Sequence, residues 1–417
     1  MAAPIDRDRL LDRFLRYVRV DTTAQEGSAT YPSSAGQLEL GRLLVQELLA
    51  IGLQDARQDQ HGIVMATLPA TVPHKSPLVA LCAHFDTSPE TTGKNVQPQV
   101  VRDYDGRDLV LPGDTTRVIK VAENPELAGM LGHTIITTDG TTLLGADDKA
   151  GIAVIVELLA YLAEHPEIPH GPLRACFTCD EEIGHGVDYI DLAALDATVC
   201  YTLDGGGRDM IDNETFSADL ALVTVRGVNI HPSIGKGRMV NAVRAAAAFV
   251  ARLPRDHLSP ETADGRDGFL HPYHISGGVA EATLRILLRD FETKALADQA
   301  ALLRDAAQQV EGEIAGCSID VQIQPQYRNM RDGLGKEPRA VALAEEALRR
   351  LGRTPVLAQI RGGTDGSRMT EMGLPTPNLS TGEHNPHSPL EWTCLEELAA
   401  AAEGLVSLAV VWGEQKL

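Results

Sequence analysis

The chain has 417 residues, of which 43% are hydrophobic and 23% charged, and its formal net charge is -21 at pH 7. This length favours two domains over one, and the excess of acidic groups disfavours binding to nucleic acid or to an anionic membrane surface. No apolar run approaches the ~20 residues of a membrane-spanning helix, and the first residues lack the basic and apolar segments of a secretory signal. We therefore expect a cytoplasmic protein without nucleic-acid or membrane partners.

The first half of the chain alternates helical and strand patterns, which predicts an α/β fold around a sheet. Apolar residues recur at helical spacing in the predicted helices, whereas the predicted strands are short apolar runs. Residues 88–135 are rich in Pro, Gly and charge, as in long loops with a functional or decorative role. The predicted elements are helices at 5–20, 36–52 and 149–164, and strands at 62–68, 77–83, 173–179 and 198–203.

From residue 214 the pattern changes to strand, helix, strand, helix and strand, which predicts a separate two-layer α+β domain. Patterns of the earlier kind return after it. We therefore predict a large domain formed by residues 1–213 and 327–417, with a smaller domain of residues 214–326 inserted into it. The predicted elements are strands at 220–227, 279–291, 317–324 and 355–360, and helices at 240–253, 293–315, 338–351 and 395–412.

Six cysteines are scattered along the chain. Cys176 and Cys179 have the spacing of a CxxC motif, but they lie in a predicted strand, where positions i and i+3 point to opposite faces. Buried reduced thiols therefore explain them better than a redox or zinc site does.

Acidic and histidine side chains follow three of the predicted strands. His84 and Asp86 come at the end of one strand, Glu181 and Glu182 follow another, and Asp204 ends a third. The carboxyl ends of strands form the edge at which open α/β sheets bind ligands. Taken alone, the His-x-Asp pair is a weak metal motif, and the two glutamates fit a solvated acidic turn.

Two further groups stand outside the predicted strands. Asp147 and Asp148 lie in a Gly-rich turn ahead of a helix, and His384 and His387 lie in a loop near the end of the sequence. Asp is also a common helix N-cap, and a single His is more often a surface or core residue than a ligand. Together with the strand-end residues, however, these His and carboxylate groups suit zinc, and such sites usually keep a coordination position open for catalysis.

The order of the motifs resembles the M20 family of dizinc peptidases over nearly the whole chain. The motifs that carry this resemblance are His84-Phe-Asp86-Thr, Leu143-Leu-Gly-Ala-Asp-Asp-Lys-Ala-Gly, Asp180-Glu-Glu-Ile-Gly and Leu203-Asp-Gly. The motifs similar to its tripeptide aminopeptidases are Arg226-Gly-Val-Asn-Ile-His-Pro-Ser, Ile360-Arg-Gly-Gly-Thr-Asp-Gly-Ser and Gly373-Leu-Pro-Thr-Pro-Asn-Leu-Ser-Thr-Gly. The resemblance implies an α/β mixed-sheet catalytic domain of the dizinc aminopeptidase type, with an inserted ferredoxin-like domain that serves as a lid or in dimerisation.

The resemblance also implies a ligand set for two zinc ions, with cobalt and manganese as alternative metals. His387 is preferred to His384 because Glu391 follows it four residues later, as in the family motif. The implied ligands are Asp147 as the bridge, His84 and Asp204 in one site, and Glu182 and His387 in the other.

Further residues are implied to act in catalysis and in substrate binding. Asp86 would orient His84, and Glu181 would be the general base that takes a proton from the metal-activated water. The Asp147–Asp148 peptide would be cis. The two arginines would act as forks that bind the carboxylate end of a peptide. The implied substrate-binding residues are His231, Asn241, Arg289 and Arg361.

The implied activity is release of the N-terminal residue from tripeptides. A related dizinc dipeptidase, carboxypeptidase or N-acyl-amino-acid hydrolase is the main alternative, and a non-enzymatic peptide-binding protein on the same scaffold is a remote one. A salt bridge with Asp290 is an alternative to substrate binding for Arg289. For His231 the alternative is a surface-loop residue without a role in binding. The expected partners are short peptides, with a homodimer as an open alternative to a monomer.

Overall fold

The computed structural model describes residues 4–417 of the chain. These residues form two compact units. The larger unit comprises the described residues up to Asn213, Asp332–Ala358 and Thr364–Leu417, and the smaller unit comprises Glu214–Arg331 and Gln359–Gly363. The smaller unit thus extends beyond residue 326, the predicted end of the insertion, and also takes in a short later segment.

Helices and strands alternate along most of the chain. The α-helices are α1 (Arg7–Tyr17), α2 (Ala35–Ile51), α3 (Ala146–Glu164), α4 (Leu192–Leu195), α5 (Ala242–Val250), α6 (Ala295–Glu313), α7 (Met330–Leu334), α8 (Arg339–Arg350), α9 (Asp365–Glu371) and α10 (Leu395–Gly413). Short 3-10 helices lie at Pro125–Gly129, Glu181–Ile183 and Pro232–Ile234. The strands are β1 (Arg57–Gln58), β2 (Val64–Leu68), β3 (Val79–His84), β4 (Gln99–Val101), β5 (Leu109–Val110), β6 (Val118–Ile119), β7 (Ile135–Thr137), β8 (Leu173–Thr178), β9 (Val199–Gly206), β10 (Met210–Thr215), β11 (Ser217–Arg226), β12 (Phe269–Gly277), β13 (Glu281–Asp290), β14 (Ser318–Tyr327), β15 (Val356–Ile360), β16 (Asn378–His384) and β17 (Trp392–Cys394).

The larger unit is built on a mixed sheet with the strand order β1-β2-β8-β3-β9-β16-β17-β7-β4, and β10 pairs with β16. The central strands β8, β3, β9 and β16 run parallel, whereas the flanking strands pair antiparallel. Every residue of β3 is buried, because helices cover the sheet as a parallel sheet requires. Helix α3 packs on β3 and β9, and α1 and α10 pack on α3. The predicted mixed-sheet α/β fold is confirmed.

The segment 88–135 contains more regular structure than predicted. It holds the short strands β4, β5 and β6 and a 3-10 helix, with β7 at its end. Its apolar side chains, among them Tyr104 and Leu127, form a small core with Trp392 and Cys394 from the far end of the chain. Strands of two or three residues are too short to leave a periodic pattern in the sequence.

The smaller unit has two layers, as predicted. Its antiparallel sheet has the strand order β12-β13-β11-β14, and α5 and α6 pack on β11 and β13 and on each other around a separate hydrophobic core. Strand β12 was not predicted, because Phe269–Gly277 contains Pro272 and is mostly exposed at the edge of the sheet.

Among the described residues, no helix combines the length and the apolar character needed to cross a membrane. All six cysteines are buried and free of disulfide bonds, which agrees with the interpretation of Cys176 and Cys179 as structural thiols.

Candidate metal centre

Strand ends and adjoining loops bring the predicted ligands together in the larger unit. His84 is the last residue of β3, Asp204 lies in the second half of β9, and Glu182 lies in the short helix that follows β8. Asp147 stands at the start of α3, and His387 lies in the loop between β16 and β17. Because β8, β3 and β9 are parallel, their carboxyl ends share one edge of the sheet, where residues distant in sequence meet.

The carboxylate of Asp147 lies between the two histidines. Its Oδ1 is 3.0 Å from Nε2 of His84, and its Oδ2 is 3.2 Å from Nε2 of His387. Nε2 of His84 is also 3.8 Å from Oδ1 of Asp204, and Nε2 of His387 is 2.9 Å from Oε2 of Glu182. The five side chains therefore form two triplets that share Asp147, and in each triplet the three ligand atoms lie within 4.8 Å of one another.

Backbone hydrogen bonds distinguish the two neighbouring aspartates. The Asp147–Asp148 peptide is cis, as the resemblance implies, and both residues depart from helical backbone angles. Oδ1 of Asp148 accepts the N–H of Gly151 at 3.1 Å, and its Oδ2 accepts the N–H of His84 at 3.1 Å. Asp148 thus has the capping role that we considered for the pair, whereas Asp147 faces the two histidines.

Glu391 is buried and fixes the turn ahead of Asp147. Its Oε2 accepts the N–H groups of Leu144 and Gly145 at 2.7 and 2.8 Å, and its Oε1 accepts the N–H of Asp147 at 3.1 Å. Burial raises the pKa of Glu391 to about 7, although these donors oppose the shift. In the sequence, the position of Glu391 only favoured His387 over His384. Its own role could not be predicted, because the backbone groups that it binds lie far earlier in the chain.

Asp86 contacts both His84 and the turn that carries the two glutamates. Nδ1 of His84 lies 3.1 Å from the backbone oxygen of Asp86 and 3.4 Å from its Oδ1. The carboxylate of Asp86 also accepts the N–H groups of Glu181 and Glu182 at 3.0 and 3.1 Å. One buried side chain is therefore placed to hold the imidazole and the acidic turn in a fixed relation.

Of the two candidate histidines near the end of the sequence, the structure places His387 beside Asp147. The ring of His384 is buried and stacks on Trp392 with a centroid separation of 3.7 Å. Its Nε2 lies 2.8 Å from Oε2 of Glu397. His384 therefore has partners of its own and is part of neither triplet.

Buried carboxylates give the centre an excess of negative charge. Burial raises the pKa of Glu181 well above its usual range, that of Glu182 to about 8 and that of Asp204 to about 6. The carboxylates of Asp147 and Glu182 raise the pKa of His387 to about 11. Carboxylates removed from water are unfavourable unless cations compensate them, so the charge of this centre suits bound cations.

A carboxylate oxygen of the second triplet also indicates a bound cation. Oε1 of Glu182 is buried and has no hydrogen-bond partner among the described residues. Buried polar atoms of this kind are uncommon and are often compensated by an ion. A set of imidazole and carboxylate ligands suits zinc. The residues present therefore fit two divalent cations that share Asp147.

Sequence analysis missed two more buried acids near this centre. Asp365 begins α9, its Oδ2 accepts the hydroxyl of Thr178 at 2.7 Å, and burial raises its pKa to about 7. Glu383 accepts the hydroxyl of Thr381 at 2.7 Å and has a carboxylate oxygen within 4.8 Å of one of Asp204. Asp365 lies within a motif that carried the resemblance, but nothing in the local pattern distinguished it from a surface acid.

The predicted substrate-binding residues all belong to the smaller unit. His231 is exposed, and its Nδ1 lies 2.7 Å from Oγ of Ser233. The side chain of Asn241 caps α5 by accepting the N–H groups of Val243 and Arg244. Helix capping accounts for Asn241, and roles in substrate binding remain predictions for both residues.

The two predicted arginines have different surroundings. The guanidinium of Arg289 lies over the ring of Tyr327, 5.0 Å from its centroid, and its Nη1 is buried without a hydrogen-bond partner among residues 4–417. Arg361 lies 5.1 Å from the ring centroid of Phe216, and its Nη1 donates to the backbone oxygen of Gly265 at 2.5 Å. Arg289 therefore retains an unused donor, whereas Arg361 is engaged within the unit.

Comparison with known proteins finds similarity along nearly the whole chain. A model of the peptidase family M20/M25/M40 matches residues 137–410. A protein named Peptidase T from Geobacillus thermodenitrificans is 43% identical over 410 residues, which are 98% of this chain and 99% of that protein. The crystal structure of aminopeptidase PepT from Bacillus cereus has a TM-score of 0.76 at 26% identity and covers 98% of this chain and 100% of that one. A dinuclear metal-binding peptidase of the M20 family from Bacillus subtilis shares the fold, with a TM-score of 0.66 at 16% identity and 98% of each chain covered.

Proposed function

We propose, because the chain belongs to peptidase family M20/M25/M40, that it is a dizinc aminopeptidase which releases the N-terminal residue from tripeptides. The observation that carries the proposal is the position of Asp147, whose two carboxylate oxygens face two separate triplets of His and carboxylate groups. Tripeptides are favoured as substrates because three sequence motifs resemble those of tripeptide aminopeptidases and a relative at 43% identity bears the name Peptidase T.

Each of the two triplets is proposed to bind one cation. When bound, the two cations would lower the pKa of a water molecule and polarise the scissile carbonyl group. Asp86 holds the ring of His84, and Glu391 holds the turn of Asp147, so the ligands are oriented by hydrogen bonds behind them. The proposed ligands are Asp147 for both cations, His84 and Asp204 for one, and Glu182 and His387 for the other.

Glu181 is proposed to take the proton from the attacking water and to return it to the leaving amine. Its carboxylate belongs to neither triplet, and its backbone is fixed by the hydrogen bond to Asp86. Burial raises its pKa, His84 opposes the shift, and Asp365 adds to it. A carboxylate beside an activated water can accept a proton from it and later donate that proton to the leaving amine, as a general base requires.

Recognition of the substrate is proposed to depend on the smaller unit. Arg289 has a buried Nη1 that lacks a partner, and a guanidinium can bind a carboxylate through two parallel hydrogen bonds. A fork that holds the C-terminal carboxylate of a peptide would limit the length of the substrate. Arg361, Asn241 and His231 are proposed to assist in binding the peptide.

Metal analysis combined with the Glu181→Gln variant tests the catalytic assignment. The variant should retain as many metal ions per chain as the wild type and lose turnover by about 10³-fold or more, because the proton acceptor is removed while the ligands remain. Glu371→Gln is a suitable control, since Glu371 is an exposed glutamate at the end of α9. Loss of a metal ion in Glu181→Gln would show that Glu181 and Glu182 have been assigned in the wrong order.

A panel of di-, tri- and tetrapeptides with free or blocked ends distinguishes a tripeptide aminopeptidase from the alternative dizinc hydrolases. A tripeptide aminopeptidase should cleave free tripeptides fastest and should fail when the amino end is acylated. Fastest turnover of acylated substrates would indicate an N-acyl-amino-acid hydrolase, and release of the last residue would indicate a carboxypeptidase. A cytoplasmic location and a homodimeric state stay predictions.

A further inference from the structure

A second group of metal-type ligands lies in the larger unit and shares no residue with the two triplets. Sγ of Cys394 is 3.7 Å from Nδ1 of His133 and 3.4 Å from Oε2 of Glu396. The three atoms lie within 4.8 Å of one another. We infer that His133, Cys394 and Glu396 bind a zinc ion that takes no part in peptide hydrolysis.

The distances between these atoms fit tetrahedral coordination. With Zn–S near 2.3 Å and Zn–N or Zn–O near 2.0–2.2 Å, a tetrahedral site places the sulfur about 3.6 Å from each of the other ligand atoms. The observed separations from Cys394 Sγ are 3.7 and 3.4 Å. A thiolate, an imidazole and a carboxylate also make a ligand set that favours zinc over magnesium or calcium. Both separations from the sulfur therefore match those of a tetrahedral zinc site.

The backbone around these residues is rigid. Cys394 is the last residue of β17 and pairs with Ile135 of β7, which begins two residues after His133. The N–H of Thr134 donates to Oε2 of Glu396 at 2.9 Å, and the N–H of Leu395 donates to the oxygen of Thr134 at 3.0 Å. Ligands held on paired strands and a helix start lose little freedom when a metal binds. The hydrogen bond to Glu396 also orients its carboxylate, as outer partners of metal ligands do.

The thiol needs a cation to ionise. Burial of Cys394 and the neighbouring carboxylates of Glu397 and Glu396 raise its pKa to about 12. Without metal, the thiol keeps its proton and donates a hydrogen bond to Glu396. When zinc binds, the S–H bond breaks, the sulfur bonds to the metal and the proton leaves to solvent. Loading of this site should therefore release a proton.

An adjoining cavity gives the ion an entry route. A cavity of about 310 Å³ is lined by His133 and Glu396 together with Arg7, Arg353 and Glu403. Cys394 is fully buried behind these residues. His133 and Glu396 line this cavity, so an ion that enters it meets two of the three proposed ligands. Such a zinc ion would tie the start of α10 to β7 and so stabilise this corner of the unit.

Cobalt loading of the full-length protein tests the inference through a signal that the catalytic centre cannot give. The two triplets contain only nitrogen and oxygen ligands, so a sulfur-to-cobalt charge-transfer absorption reports on a cysteine ligand alone. We expect the intensity of this absorption to correspond to one thiolate-bound cobalt per chain in the wild type, out of three cobalt ions bound in total. Cys394→Ser should lose it and should release no proton from this site, whereas Cys317→Ser, which removes a buried cysteine of the smaller unit, should retain it.

His133→Gln is a second variant that keeps the thiol and does not alter the buried strand. It should weaken the cobalt affinity reported by the absorption at least tenfold, with peptide hydrolysis retained. Absence of the absorption in the wild type at saturating cobalt would overturn the inference. So would an absorption that persists in Cys394→Ser, or an affinity that His133→Gln leaves unchanged.

Discussion

Replacement of Glu391 by Gln tests whether the turn ahead of the shared ligand controls metal binding. The carboxylate accepts two N–H groups on Oε2 and one, from Asp147, on Oε1. A Gln side chain can keep the two bonds at the Oε2 position with its carbonyl oxygen. Its amide group would then face the N–H of Asp147, so one hydrogen bond to a charged acceptor is lost and two donors oppose each other.

The size of the effect follows from that lost hydrogen bond. A hydrogen bond to a charged group contributes about 1.5–3 kcal/mol, which corresponds to about a 10- to 150-fold change in an equilibrium constant. Loss of an outer partner of a metal ligand typically lowers metal affinity by about 10- to 100-fold. We therefore expect the Kd for zinc of Glu391→Gln to rise by about one to two orders of magnitude, with a smaller loss of kcat at saturating zinc.

Competition with a chelator at pH 8 or above measures this Kd under conditions in which Glu391, whose pKa lies at about 7, is ionised. Glu214→Gln is the matched control, because Glu214 is also a buried glutamate but belongs to the smaller unit, where its carboxylate pairs with Arg266 at 2.6 Å. The control should lower the Tm and leave the zinc affinity unchanged. A wild-type zinc Kd in Glu391→Gln, or an equal change in both variants, would refute the reasoning.

Three further predictions concern other parts of the molecule. His387→Ala, made in a Cys394→Ser background so that only the catalytic centre binds metal, should retain one of two tightly bound metal ions and lose turnover, whereas His384→Ala in the same background should retain both. Two ions found in His387→Ala by metal analysis after dialysis would contradict the assignment. Burial raises the pKa of Glu47, but the arginines of α1 outweigh this and hold it below its usual value of 4.5. The stabilisation by ionised Glu47 is therefore present above pH 4.5 and is lost as the pH falls further. Glu47→Gln should reduce the fall in the free energy of unfolding, measured in urea, between pH 4.5 and lower pH. An unchanged pH dependence of this free energy would contradict the prediction. Arg289→Met should raise KM for tripeptides with a free carboxylate by about 10- to 100-fold and leave KM for the C-terminal amides unchanged. Arg285→Met in the same strand serves as the control. An equal effect on the amides would exclude binding of the substrate carboxylate by Arg289.

The fold was predictable where long apolar runs form buried elements. Strands β3, β8 and β9 and helix α3 lie within a few residues of their predicted positions, since each is mostly apolar and almost entirely buried. Strand β12 was missed because an exposed edge strand has no apolar face to mark it. Strands β5 and β6 were missed because a pair of two-residue strands depends on a small core assembled from distant segments.

The residues of the candidate site were also largely predictable, but from side-chain chemistry and not from apolar periodicity. Its proposed ligands carry side chains whose chemistry is visible in the sequence, and the motif order indicated which of them belong together. Glu391 acts on backbone groups more than 240 positions earlier, and Asp365 on a hydroxyl 187 positions earlier, so no local pattern marks either. The capping bonds of Asn241 are local, and an Asn directly ahead of an Ala-rich helix was a signal for them.

Helix α3 starts beside the shared ligand, and α1 together with the residues that follow it contacts α3 at two levels. Nζ of the buried Lys149, in the first turn of α3, donates to the backbone oxygen of Val20 at 2.9 Å. Two turns further on, the fully buried Glu157 pairs with Arg9 at 2.7 Å and with Arg13. Residues 7–20, which contribute none of the proposed ligands, thus support the part of the sheet edge where the chemistry is proposed to take place. Shortening this segment would disturb metal binding from a distance.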